Sequence, residues 1–355
     1  MLEPFWGPSG RDADTRASFR RYRESGTQFF ELVPLSEADV AVLPYDWTYA
    51  TWEEADFYPE SRDRAVAFAN EAVSVGKPVV IFYETDLRLD IPFEHLLFCT
   101  DLSRSTRSRN QFALPGWSED LLSKYRGGEV TIRPKRLQPV VGFCGYAPPL
   151  GMPLGKAKVK ETLRYLLYRA RILSLPARAP VSRRMGVFKT PGPSARVVAL
   201  RMLKRTSEVA TNLVLRPHKM NVKGGRWKNP ADGQAVQRSS QLEFLENMLN
   251  SDYVLCSRGF GNFSYRFYES LASGRIPVLI DTDCVLPFDS IIDWDSYCIR
   301  VPEGDVDQIA SRIAEFHAGI SPADFGDRQL SCRKLWEEWL SPEGFFANFH
   351  RHLNG

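Results

Sequence analysis

The stretch Tyr253-Val254-Leu255-Cys256-Ser257-Arg258-Gly259-Phe260-Gly261-Asn262-Phe263-Ser264-Tyr265-Arg266-Phe267-Tyr268-Glu269-Ser270-Leu271-Ala272-Ser273-Gly274-Arg275-Ile276-Pro277-Val278 runs from an apolar segment through a glycine-containing loop into a helical pattern and a second apolar segment. An apolar run of this length without alternation predicts a strand covered on both faces, the signature of a parallel sheet. Ser264 suits an N-cap, so a helix is expected over Ser264 to Ser273. Unpaired amides at a helix start, reached by a backbone that Gly259 and Gly261 keep free of side chains, form an anion site suited to a pyrophosphate. Arg258 and Arg266 bracket that position with guanidinium forks that match phosphate oxygens. Glu269, one turn beyond Arg266, is placed to accept the hydroxyls of a ribose; an i,i+3 surface pair with Arg266 is the plainer alternative.

Outward from this segment the same alternation recurs. Strands are expected at Thr211 to Leu215, Tyr253 to Cys256 and Pro277 to Ile280, with helices at about Lys156 to Leu175, Ala195 to Glu208 and Gln237 to Leu249. Arg216 directly follows one of those strands, where ligands of doubly wound sheets collect. The N-terminal third repeats the logic with strands at Asp39 to Pro44, Pro78 to Tyr83 and His95 to Cys99 around a helix from Arg62 to Val75. Ser103 to Gly128 reads as a loop-rich connection. The expectation is an α/β protein of two doubly wound domains, 1–136 and 137–330. A helical end, 331–355, is expected to carry Phe345-Phe346-Ala347-Asn348-Phe349 back across the junction, with packing in the core of the second domain as the equal alternative.

With 43% hydrophobic and 25% charged residues, the 355-residue chain has the make-up of a soluble globular protein. Its start, Met1-Leu2-Glu3-Pro4-Phe5-Trp6, lacks a signal-peptide pattern and no apolar run reaches membrane-spanning length, which predicts a cytoplasmic chain. Six scattered cysteines without CxxC spacing read as buried free thiols. The net charge is only +3, yet Lys156 to Arg205 contains one acid, Glu161, among fourteen basic residues. That section predicts docking on an anionic membrane face, peripheral on the inner side. Tyr165, Tyr168 and Phe188 are too few and irregular for a base-stacking platform, so no nucleic acid is expected.

Arg258-Gly259-x-Gly261-Asn262-x-Ser264-x-Arg266-x-x-Glu269, then Gly274-Arg275-Ile276-Pro277-Val278, Pro287-Phe288 and Ile292-Asp293-Trp294, resembles the C-terminal signature of the exostosin family. Ala38 to Tyr45 resembles that family's N-terminal strand. The resemblance implies two Rossmann-like domains facing each other across a cleft, the GT-B arrangement. It implies transfer of a sugar from a UDP- or GDP-linked donor to a glycan or lipid-linked acceptor in envelope polysaccharide synthesis. Carried onto this chain, Arg258, Ser264 and Arg266 become diphosphate ligands and Glu269 the ribose ligand, with Arg216, Gly259, Gly261 and Asn262 completing the donor site. Retaining enzymes of similar architecture carry a glutamate eight residues before the ribose ligand. Here that position is Gly261, which favours inversion.

An inverting transfer needs a carboxylate to deprotonate the acceptor, and it is sought at strand ends of the first domain. Asp46 and Asp86 rank first, ahead of Glu84 and Asp101. Asp281-Thr282-Asp283 has a metal-binding D-x-D spacing, but its place after Pro277 to Ile280 reads as a strand-end turn. No metal or other cofactor is therefore expected. The competing reading is a non-catalytic module that binds a nucleotide or polyanion through the basic section.

Overall fold

The computed structural model describes residues 28–44, 47, 60–83, 91–147, 150, 193–216, 230–259 and 261–353. Two parallel sheets form the frame. The first contains β1 (Ala41–Val42), β2 (Val79–Tyr83), β3 (Leu96–Cys99) and β4 (Gln111–Ala113) in that spatial order, all parallel. The second contains β5 (Val140–Tyr146), β6 (Ala210–Arg216), β7 (Tyr253–Cys256), β8 (Ile276–Asp281) and β9 (Ile299–Pro302) in the order β6-β5-β7-β8-β9, again all parallel. The strand pairings show the expected α/β architecture of two parallel sheets; among the described residues the strand order reverses, as in a doubly wound sheet, in the second. Among the described residues no helix is long and apolar enough to cross a membrane.

Crossover helices account for the parallel pairing. Helix α1 (Ser61–Ser74) joins β1 to β2 and turns at Gly76, whose φ of +71° is open to glycine at little cost. In the second sheet α3 (Pro193–Arg205) precedes β6, α4 (Pro230–Leu249) precedes β7 and α5 (Tyr265–Ala272) lies between β7 and β8. The sheet order makes β5 and β7 neighbours whose onward connections leave in opposite directions, β5 toward β6 and β7 toward β8. That is a topological switch point, and the crevice outside the carboxyl ends of β5 and β7 is where such sheets take ligands.

Ser103 to Gly128 is more structured than its polar composition predicts. It holds β4 and a short helix, α2 (Leu121–Arg126), capped by the Asp120 side chain and closed by Gly127 at φ +71°. Leu121 and Leu122 anchor α2 in the core. From Leu114 onward the chain packs with the second sheet: Arg133 pairs with buried Asp252 at 2.7 Å, and Arg275 donates to the Thr131 carbonyl at 3.0 Å.

The sheets share one core. Val80, Phe82 and Phe98 of the first sheet cluster with Phe345, Phe346 and Phe349 from the end of the chain, in the helix Pro342–Ala347 and the turn after it. Phe98 and Phe349 lie 5.0 Å apart between ring centroids, and Phe82 and Phe346 5.9 Å. The opposite face of the first sheet, with Val79, Ile81 and Leu97, is covered by Ala65, Ala69 and Ala72 of α1. All six cysteines are buried free thiols, as their apolar surroundings predict.

Candidate functional site

Arginines converge on the switch point from three separate stretches of chain. Arg266 lies in the first turn of α5 and donates through Nη2 to the Cys144 carbonyl near the end of β5, at 2.7 Å. Its guanidinium stands 4.3 Å from the Phe143 ring centroid and 5.7 Å from that of Phe244. Burial pulls the Arg266 pKa down, and Arg216 adds a repulsive charge. Its Nε is buried with no hydrogen-bond partner among the described residues, a costly condition for a cationic donor. Gly145 is what lets Arg266 approach: at φ +155°, a Cβ there would stand 2.6 Å from Arg266 Nη2.

Arg216 closes β6 and pairs with Glu243 of α4, also donating to the Ser240 carbonyl at 3.5 Å. Arg258 is buried in the loop after β7, and its carbonyl accepts Arg196 Nη2 at 2.7 Å. Arg196 comes from the first turn of α3 and also donates to Ser257 Oγ at 2.7 Å and to the Tyr146 carbonyl at 3.2 Å. Charge on sequence singled out Arg196 only as one member of a basic section. Its proximity to Arg258 depends on β5 and β7 being neighbours, which no local pattern announces.

Glu269 faces the same arginine from the next turn of α5. Burial raises its carboxyl pKa, while the Arg266 charge and a hydrogen bond from Ser118 oppose that rise. Ser118 belongs to the connection after β4, where Gly116 passes so close to Tyr268 that a Cβ would meet its ring at 2.9 Å. Arg266 and Glu269 are both half-buried and each feels the other's charge, so the pair weighed as the alternative does not lie freely on the surface.

The glycine loop differs from its sequence reading in how its amides are used. The Gly259 N–H donates to the Phe263 carbonyl at 3.2 Å, and the Asn262 N–H donates to Asp101 Oδ1 at 2.7 Å. Asn262 then spends its side chain on Ser103 Oγ (2.9 Å) and accepts from Thr282 Oγ1 (2.6 Å), fastening the loop to the first sheet. Asn262 is therefore a junction residue, and Asp101 is engaged with it. A Cβ at Gly259 would meet nothing within 4 Å, so packing within the protein does not demand glycine there. Gly261 is buried. Ser264 has N-cap backbone geometry, but its hydroxyl makes no capping bond, so the first-turn amides of α5 are not capped by it. The Gly259 and Asn262 amides are thus spent within the protein.

Asp281 and Asp283 are turned to the junction. Arg104 donates to both Asp281 oxygens at 3.0 and 2.9 Å, and Ser105 donates to Asp283 Oδ2 at 2.5 Å. Asp283 adopts φ +69°, the tight turn expected at a strand end. Asp46, Asp86 and Glu84 lie outside the described residues, as does most of the basic section. In its described part, Arg201 also donates inward, to the Leu150 carbonyl at 2.6 Å.

Residues 205–316 match the Exostosin GT47 domain, in agreement with the resemblance carried by Arg258 to Trp294. A stretch of 98 residues is 36% identical to the Exostosin-1 homolog of Caenorhabditis elegans, covering 28% of this chain and 25% of that protein. A probable glucuronosyltransferase of Oryza sativa subsp. japonica is 40% identical over 133 residues, 36% of this chain and 30% of that one. The matched stretch thus spans at most about a third of these relatives' lengths. Among solved structures, S. aureus TarM in complex with UDP aligns over 81% of this chain and 54% of that one at 9% identity and a TM-score of 0.34. The catalytic domain of Arabidopsis thaliana starch synthase IV bound to ADP and acarbose aligns over 96% and 75% at a TM-score of 0.33. At such scores the two-sheet architecture rests on this chain's own strand pairings.

Proposed function

We propose that this protein is a glycosyltransferase that moves a sugar from a nucleotide-sugar donor to a glycan or lipid-linked acceptor, with inversion, in envelope polysaccharide synthesis. The observation that carries this reading is Arg266. A half-buried cation at the carboxyl end of a switch-point strand, with a buried Nε lacking a partner among the described residues and with the Arg216 charge close to it, fits a diphosphate. The match of residues 205–316 to the exostosin domain supports the choice of a sugar nucleotide over other diphosphates.

In the proposed reaction an acceptor hydroxyl oxygen bonds to the anomeric carbon as that carbon's bond to the diphosphate breaks. The nucleoside diphosphate leaves with the bonding electron pair, and the hydroxyl proton passes to a carboxylate of the N-terminal part, for which Asp46 and Asp86 are proposed. Arg258, Arg266 and the first-turn amides of α5 neutralise the charge gathering on the leaving diphosphate. Glu269, held by Ser118, is proposed to take the ribose hydroxyls. The donor is UDP- or GDP-linked in this reading, and no metal ion is needed for charge neutralisation.

Transfer from a panel of radiolabelled UDP- and GDP-sugars to glycan or lipid-linked acceptors tests this. Turnover is expected to persist in excess EDTA; loss in EDTA with recovery on adding manganese would overturn the metal-free assignment, and absence of any transfer would overturn the enzymatic one. Peripheral docking through Lys156 to Arg205 belongs to the same proposal. Sedimentation should be greater with anionic than with neutral liposomes and should fall as salt rises. Equal sedimentation with both would contradict it.

A further inference from the structure

We infer that Arg196 is a positioning residue of the donor site, joining the ends of β5 and β7 and thereby fixing the loop that carries Arg258. The inference rests on the nucleotide reading of this site. It comes from geometry alone, because Arg196 lies outside the matched residues 205–316.

One guanidinium reaches both sides of the switch point. Arg196 Nη1 donates to Tyr146 at the end of β5 (3.2 Å), while Nε and Nη2 donate to Ser257 Oγ and the Arg258 carbonyl beyond β7 (2.7 Å each). β5 and β7 pair in register only through Val141 with Tyr253 and Gly142 with Val254. Beyond that register, toward their carboxyl ends, Arg196 is a link between the two strands. It also stands 6.0 Å from the Phe143 ring centroid, the same ring that supports Arg266.

The placement of Arg196 runs against local preference. A cation in the first turn of α3 faces the positive end of the helix dipole, which disfavours it. Its bonds to two carbonyls and a hydroxyl compensate. Lysine keeps the charge but not the planar fork, and one ammonium does not span acceptors on two strands in the same way.

The test compares Arg196→Lys and Arg196→Ala with wild type by titration with UDP and GDP, and by competition with uridine and guanosine. Both variants should lose about tenfold in diphosphate affinity, while nucleoside affinity stays within about twofold. A role confined to stability would lower the melting temperature and leave the diphosphate-to-nucleoside ratio unchanged, and that result overturns the inference. So does Arg196→Lys with wild-type diphosphate affinity. Arg266→Ala is the control: if it binds as wild type does, or if wild type binds neither diphosphate, the reading of the site itself fails and this inference with it. If Arg266→Ala weakens binding and Arg196→Lys does not, only the inference about Arg196 fails.

Discussion

Arg266 and Glu269 are where sequence and structure meet most directly, because both sit on one helix and their spacing alone puts them on one face. What the spacing leaves open is their other partners. The Cys144 carbonyl and Ser118 come from segments 122 and 151 positions away from those two residues, and only the folded sheet order brings them close. Asn262 shows the converse: its place in the motif suggests a ligand contact, yet Asp101, Ser103 and Thr282 occupy its amide groups. Gly145 has no motif to mark it, but its geometry makes a sharp prediction. Alanine there would place Cβ 2.6 Å from Arg266 Nη2 in a backbone conformation that side chains disfavour. Gly145→Ala is therefore expected to cost roughly 1–3 kcal/mol of stability and to weaken nucleotide binding by displacing Arg266. Chemical denaturation alongside calorimetry checks both, and unchanged values in each would remove Gly145 from this account.

Elements with continuous apolar runs or long helical periodicity were legible from the sequence: β7, α5 and β8 fall within about a residue of their expected bounds. Those that escaped are short. β4 has three residues, one of them Gln111, and α2 has fewer than two turns, so neither develops a readable period. β1 narrows to Ala41–Val42 within the longer apolar run that suggested it. The last turn, Phe349–His352, has its own testable consequence. His352 stacks on Phe288 at 4.5 Å and lies 5.1 Å from Phe98, and burial, with Arg107 adding repulsion, lowers its pKa to about 4. Because the folded pKa is below the unfolded value of 6.5, the unfolded chain binds the proton more readily as pH falls. The stabilisation from neutral His352 is present above about pH 6.5 and is lost progressively from there toward pH 4. A His352→Phe variant should show a flatter stability profile over that window in urea melts at several pH values; the same slope as wild type would show that His352 does not titrate in this way.

At the scale of the whole molecule, the end of the chain supplies aromatic cover for the first sheet while the glycine loop is fastened to that sheet's strand ends. Phe345, Phe346 and Phe349 fill one face, and Arg104, Ser105 and Asn262 bind the sheets together on the side of Asp281 to Asp283. The parallel two-sheet architecture was legible because strands covered on both faces must be apolar throughout, as Val79 to Tyr83 are. The aromatic part of the joining, through Phe345 to Phe349, was legible too, whereas the polar part, through Arg104, Ser105 and Asn262, was not, because it is made by side chains far apart in sequence. In this frame the carboxyl ends of β5 and β7 hold a cluster of arginines, proposed to bind the diphosphate of a nucleotide sugar. The most direct measurement is a calorimetric titration of wild type and Arg266→Ala with UDP- and GDP-sugars. Wild type should bind at least one of them, and the variant should bind it about ten- to a hundredfold more weakly while remaining folded; equal affinity in the two proteins would contradict the account.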